Sequence, residues 1–183
     1  MKLLKTSILF FQFLFFVSAV QAQDINSVVK DNYGREKLLG RVNKQGLTTN
    51  TFNAWFSASY DRYNIDKEAL KKIKKDINDY KITVFMGTWC GDSRREVPRF
   101  YKILESLDYP MHKLKIIGVD NIPGAYKKSP GKEEEGLNII KVPTFIFYKN
   151  GKEVNRIVES PVISLESDIE KIMYSTEYKH KYF

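Results

Sequence analysis

A single cysteine, Cys90, in 183 residues leaves this chain without a covalent staple. An intramolecular disulfide is impossible. With only two histidines beside that cysteine, the chain also lacks the usual ligands of a Cys-based structural zinc site. The fold must therefore be held by an apolar core. The composition allows one: 43% of the residues are hydrophobic and 28% charged, which is globular rather than disordered. A chain of this length suits one domain of ordinary size.

The formal charge is +8, and Lys2 and Lys5 carry two of those charges, leaving +6 for residues 23–183. These two lysines precede the apolar stretch Ile8–Val20, broken only by Gln12 and Ser18, and Val20-Gln21-Ala22 follows. This is the layout of a secretory signal peptide cleaved after Ala22. The stretch is short for a membrane span, which takes about 20 apolar residues. No cysteine closes it to carry a lipid. The expectation is an exported protein, fitting a bacterial periplasm, with no stable membrane insertion after cleavage. The alternative is a chain anchored by an uncleaved signal. No Gly-rich phosphate loop and no nucleic-acid motif is present. Neither a nucleic-acid partner nor a cofactor or metal is expected.

Residues 23–64 read as an N-terminal extension. Its first part, to Thr48, has weak periodicity and reads as loosely structured. Phe52, Trp55, Phe56, Tyr60 and Tyr63 then share one face at helical spacing, predicting an aromatic amphipathic helix. A domain is expected over 65–175. Asp66 is a good helix N-cap; Leu70, Ile73 and Ile77 mark the buried face of that helix, and Lys67, Lys71, Lys72, Lys74 and Lys75 its solvated one. Ile82–Met86 and Leu114–Val119 read as buried strands, with a helix between them carrying Val97, Phe100, Tyr101, Leu104 and Leu107. A loop over Asn121–Pro130 and a short helix over Lys132–Leu137 follow. Thr144–Tyr148 and Glu153–Val158 read as strands joined by Asn150-Gly151, a strong hairpin signal. Leu165, Ile169, Ile172 and Met173 mark a last helix. The tail, 176–183, is expected to fray. Strand–helix–strand connections imply a parallel core, and the hairpin adds an antiparallel part. The fold class is α/β, a mixed central β-sheet flanked by helices on both faces.

Cys90 falls where a strand ends and a helix begins, in Gly87-Thr88-Trp89-Cys90-Gly91-Asp92-Ser93. A thiol at a helix N-terminus meets unpaired N–H groups and the positive end of the dipole, which favour thiolate over thiol. Arg94 and Arg95 would add to that and Asp92 would oppose it. The Ser93 hydroxyl can donate to a thiolate. His112 and His180 lie away from this motif, so a Cys–His pair is not expected.

The segment Ile82–Pro98 resembles the active-site region of thioredoxins, a strand followed by Trp-Cys-Gly-x-Cys and a helix. The segment Gly136–Lys152, containing Val142-Pro143-Thr144, resembles the thioredoxin stretch around its cis-proline. Pro98, eight residues after Cys90, stands where thioredoxins commonly kink the helix. The resemblance implies a thioredoxin-like fold, with Cys90 catalytic and with Trp89, Gly91, Val142 and Pro143 binding substrate beside it. It also implies that the backbone of Val142 pairs with a client. Three departures stand out. Ser93 replaces the resolving cysteine, and a hydroxyl cannot attack a mixed disulfide. Val84 replaces the buried carboxylate that serves that thiol. Glu159-Ser160-Pro161 replaces a small glycine-containing loop, so Glu159, with Asp92 and Arg94, is expected to tune the site.

Three readings follow. In the first, Cys90 acts as a monothiol oxidoreductase on extracytoplasmic protein or small-molecule disulfides, through a mixed disulfide that an external thiol resolves. In the second, the fold is a binding or chaperone module that holds extended peptides or traps client thiols without turnover. In the third, the scaffold is degenerate and Cys90 has no role.

Overall fold

The structure, a computed structural model, describes residues 24–183. The signal-peptide reading of 1–22 lies outside the described residues. Six strands form one sheet: β1 (Ser27–Lys30), β2 (Glu36–Val42), β3 (Tyr80–Met86), β4 (Leu114–Gly118), β5 (Thr144–Lys149) and β6 (Lys152–Val158). Their order is β1-β2-β4-β3-β5-β6. Only β3 and β4 pair in parallel, with Val84 opposite Ile116, and the remaining pairs are antiparallel. The sheet is mixed and flanked by helices, as expected, but the helices bury their apolar residues on one face, with Ile82, Val84 and Met86, rather than on both.

The helices are α1 (Lys44–Leu47), α2 (Asn50–Arg62), α3 (Lys67–Ile73), α4 (Gly91–Ser106) and α5 (Leu165–Tyr174). Apolar residues at helical spacing give the longer ones a face to bury, and side-chain caps set where three of the helices start, Asn43 accepting from Gly46 N–H at α1. Asp66 accepts from the Glu68 and Ala69 N–H groups, and Ser164 accepts from Ser167 N–H. α4 buries Val97, Phe100, Tyr101, Ile103 and Leu104 despite Pro98 in its interior. That proline has no N–H for the carbonyl one turn back, so the helix loses a bond there.

The alternation of β3 sorts the core into two clusters. Ile82, Val84 and Met86 join a large cluster with side chains from α2, α3, α4 and α5. Phe100 of α4 packs at 4.7 Å from Phe145 of β5, and Phe56 of α2 meets Tyr101 edge-on at 5.7 Å. Phe85, Ile117, Val119, Val142 and Ile146 form a smaller cluster on the opposite face. That cluster packs against Trp89, Cys90, Leu137 and Ile139. Its cover comes from the segment 119–142. The short helix expected at Lys132–Leu137 is a run of turns, because no apolar stripe backs it and Gly136 turns out at φ +76°.

Two further expectations need correction. The lead-in to Thr48, expected to be loosely structured, is β1, β2 and α1. β2 is an interior strand, paired with β4 through Arg41–Ile117 and Val42–Ile116. The tail is not frayed throughout: Tyr178 is buried, its hydroxyl donates to Asp168 at 2.7 Å, and Asn155 Nδ2 donates to the Tyr178 carbonyl at 2.9 Å. A tyrosine that finds a buried carboxylate gains both apolar area and a charge-assisted bond. The aromatic stripe of α2 is as expected, with Phe52 and Phe56 buried and Trp55, Tyr60 and Tyr63 packed at its margin.

Candidate active site

Strand β3 ends at Met86 and the chain turns through Gly87–Trp89 into α4. A side chain at Gly87 would collide with the indole of Trp89, so glycine lets that ring fold back over the turn. The Trp89 Nε1 donates to the Val119 carbonyl at 2.8 Å, fixing the ring against the end of β4. Cys90 is the N-cap of α4, with extended backbone, and its side chain makes no capping bond. Its carbonyl accepts from Arg94 N–H at 3.0 Å, so the first helical turn is closed directly behind the sulfur.

The half-buried thiol donates to the Val142 carbonyl at 3.2 Å. Fifty-two residues apart in sequence, the two expected motifs are thus in contact. The Val142–Pro143 peptide bond is cis, and both residues are buried. Gly91 is exposed at the start of the helix. Ser93 is fully buried, and its Oγ accepts from Gly87 N–H at 3.2 Å. Among the described residues its hydroxyl makes no bond to Cys90. Val84 is buried in the large cluster, with no carboxylate at its position.

The charged residues expected to tune the site are each engaged. Asp92 pairs with Arg95 at 2.6 Å. Arg94 Nε donates to the Thr88 carbonyl at 2.5 Å, and its guanidinium lies 6.0 Å from the Trp55 ring. Glu159 lies beside Pro143, where its N–H donates to the Pro143 carbonyl at 2.7 Å. Its carboxylate accepts from Tyr182 Oη and pairs with Lys141 at 3.2 Å. The Tyr182 hydrogen bond first, then the Lys141 charge, holds it below the usual carboxylate range.

Sequence reasoning missed three residues at the margin of the site. Tyr126 packs 5.8 Å from the Trp89 ring. Lys127 donates to the Ile140 carbonyl and lies 4.6 Å from the Tyr126 ring. Lys141 directly precedes Val142, and its place inside the Val-Pro motif was the one available signal. Asp120 caps the turn after β4, accepting from Asn121 N–H at 2.6 Å, and also forms a buried ion pair with Lys37 of β2. That pair brings β2 to the Trp89 side of the site. A groove of about 270 Å³ there is lined by Lys37, Trp89, Arg94 and Asn121, among others. Among the described residues, no cluster of His, Cys, Asp and Glu could hold a metal ion, and no helix is long and apolar enough to cross a membrane.

A family model described as Thioredoxin matches residues 47–166. Thioredoxin H2 of Arabidopsis thaliana is 28% identical over 99 residues, covering 54% of this chain and 66% of that protein. Thioredoxin-2 of Saccharomyces cerevisiae is 35% identical over 75 residues, covering 40% of this chain and 62% of that one. The chain thus spans just under two thirds of the length of these relatives. A solved structure of oxidised thioredoxin O2 from Arabidopsis thaliana aligns at 25% identity. It covers 57% of this chain and 83% of that one with a TM-score of 0.37.

Proposed function

The chain belongs to the thioredoxin family, and from that premise we propose that it is a monothiol thiol–disulfide oxidoreductase acting through Cys90. One observation carries the reading: the Cys90 thiol stands at the N-terminus of α4 and against the Val142 carbonyl at 3.2 Å. The Val142–Pro143 backbone offers a client main chain a place to pair next to the sulfur.

The cycle needs two exchanges. The Cys90 thiolate attacks one sulfur of the client disulfide; a bond forms to Cys90, the client S–S bond breaks, and the electron pair leaves with the other sulfur. An external thiolate then attacks the mixed disulfide and releases Cys90 as thiolate. This chain ends the cycle unchanged. One client sulfur has left as thiolate and the other is joined to the external thiol. A second external thiol frees it in a net reduction, or a client thiol frees it in a rearrangement. Ser93 cannot supply the second attack, and Val84 offers no base to assist one. The partners are therefore client proteins or small thiols. The apolar stretch after Lys2 and Lys5 supports action outside the cytoplasm, in a periplasm-like compartment.

A second reading rests on Ser93 itself. Without a resolving thiol a mixed disulfide persists, which suits a module that holds clients rather than turns them over.

The test uses residues 23–183 and a Cys90→Ser control. A small mixed disulfide is supplied with excess external thiol, and product is followed over many equivalents. Catalytic turnover lost in the control supports the oxidoreductase. One adduct per chain and no more favours the trap. An unreactive Cys90 overturns both.

A further inference from the structure

The charges around Cys90 come from four elements, and their pairing leaves two cations, Arg94 and Lys127, without a carboxylate among the described residues. On α4, Asp92 is answered by Arg95 at 2.6 Å, and Arg94 is directed to the Thr88 carbonyl. Before β5, Lys141 is answered by Glu159 at 3.2 Å. After β6, Glu159 also accepts from Tyr182 of the tail. Of these two, Lys127 is the one that reaches the Val142 side of the site, through Ile140. Among the described residues no carboxylate lies within ion-pair distance of its ammonium group; its partners are the Ile140 carbonyl and the face of Tyr126.

Lys127 is placed by backbone, not by chance rotation of a surface side chain. Its N–H donates to the Asp120 carbonyl at 2.8 Å, and Asp120 N–H donates to the Lys128 carbonyl at 2.9 Å. The residue itself sits at φ +60°, so the chain reverses there and sends the side chain toward Ile140. Ile140 is two residues from Val142, whose carbonyl faces the Cys90 thiol. Tyr126, under the ammonium, packs against Trp89, the residue before Cys90. Partial burial first, and then the charge of Lys141, hold the ammonium group below the usual lysine range. One hydrogen bond to Ile140 leaves two of its three N–H donors free. The apolar cluster of Phe85, Ile117, Val142 and Ile146 beneath the site lowers the local dielectric and strengthens its field.

We propose that Lys127 is a specificity-determining residue of this site, favouring disulfide partners that carry a carboxylate beside the reacting sulfur over neutral or cationic ones. The inference rests on Cys90 being the exchanging thiol.

Two alkylating reagents isolate the charge. With iodoacetate and iodoacetamide alike, the Cys90 thiolate displaces iodide, so a C–S bond forms as the C–I bond breaks. The reagents differ in one negative charge. In residues 23–183, the ratio of the iodoacetate rate to the iodoacetamide rate is expected to fall about threefold in Lys127→Met. Lys127→Arg should preserve the ratio, and Lys127→Glu should lower it further. A ratio unchanged in Lys127→Met overturns the proposal. So does an equal fall with both reagents, which would mean a general effect on the thiolate and no choice of partner. Should Lys127→Met not fold, the unsubstituted protein gives the answer. Its ratio must drop as salt screens the cation, and a flat ratio overturns the proposal. A protein that shows the charge preference yet turns over no disulfide fails the proposed function and leaves this inference standing.

Discussion

The hydroxyl of Tyr178 donates to Asp168 Oδ2 at 2.7 Å, tying the end of the chain to the first turn of α5. Asp168 is fully buried and also accepts from Val162 N–H at 2.6 Å and Ile163 N–H at 3.2 Å. One carboxylate thus organises the loop before α5, the helix itself and the tail. The same loop begins beside Pro143 with Glu159, so the tail braces the cis-proline side of the site.

Tyr178→Phe removes one charge-assisted bond while keeping the ring, and is expected to cost about 1.5 kcal/mol. Asp168→Ala leaves three donors without their acceptor and is expected to cost about 3 kcal/mol. Urea unfolding midpoints check both. A neutral Tyr178→Phe would mean that the tail does not hold to the domain.

Gly118 is the point where β2 lies against β4. A Cβ there would run into the Leu38 carbonyl, with Leu38 C at 2.9 Å, and backbone has no rotamer with which to yield. Gly118→Ala is therefore expected to destabilise by about 2–3 kcal/mol. The loss should fall on β2 first. Amide hydrogen exchange over Glu36–Val42 should accelerate more than over β5. If β2 keeps its protection in the variant, the strand is not held as the pairing of Gly40 with Gly118 implies.

What the sequence disclosed and what it hid follow from the range of the forces involved. The α4 stripe, the Asp66 cap and the Asn150-Gly151 turn are local. Both turn residues take positive φ, +52° and +78°, as a tight hairpin requires. Cys90, Val142 and Pro143 were legible as two motifs and meet as the resemblance implied. β2 was not legible, because Gly40 at φ +72° interrupts its alternation and Lys37 is buried only by virtue of a distant Asp120. Tyr178 and Lys127 carry no periodic signal. Each matters through one partner, Asp168 or Ile140, that only the folded chain brings to it.

Tyr60 donates to Glu105 Oε2 at 2.5 Å. Partial burial first, then that carboxylate, pushes its phenol up to about 12. In the unfolded chain the group titrates near 10. A group whose pKa is raised on folding contributes stability below its unfolded value. That contribution disappears as pH rises through the folded one. Stability should therefore hold to about pH 10 and decline toward pH 12, with Tyr63, Tyr101 and Tyr109, also raised, adding to the slope. Tyr60→Phe should be less stable at pH 8 and should lose less between pH 10 and pH 12. Unfolding midpoints at three pH values across that range measure it. Parallel curves for the two proteins would refute the assignment to Tyr60.

Ser93→Cys puts a second thiol one helical turn from Cys90, at the position of the missing resolving group. The site tolerates a side chain of this size, although Gly87 N–H exchanges an oxygen acceptor for a weaker sulfur one. That exchange is expected to cost about 1 kcal/mol. The chemical consequence is larger. The new thiol can attack the Cys90 mixed disulfide and release the client. An internal disulfide between Cys90 and the introduced sulfur remains, so the chain itself is oxidised as the client is reduced. The variant should then release client without external thiol, once per chain, and continue only when a reductant restores it. Val84 still offers no carboxylate to deprotonate the buried thiol. A Val84→Asp change added to Ser93→Cys is therefore expected to speed release further, by about tenfold. Mass spectrometry of the quenched reaction distinguishes the mixed disulfide from the internal one. A mixed disulfide that persists in Ser93→Cys as long as in the unsubstituted protein would show that position 93 does not face the reacting sulfur.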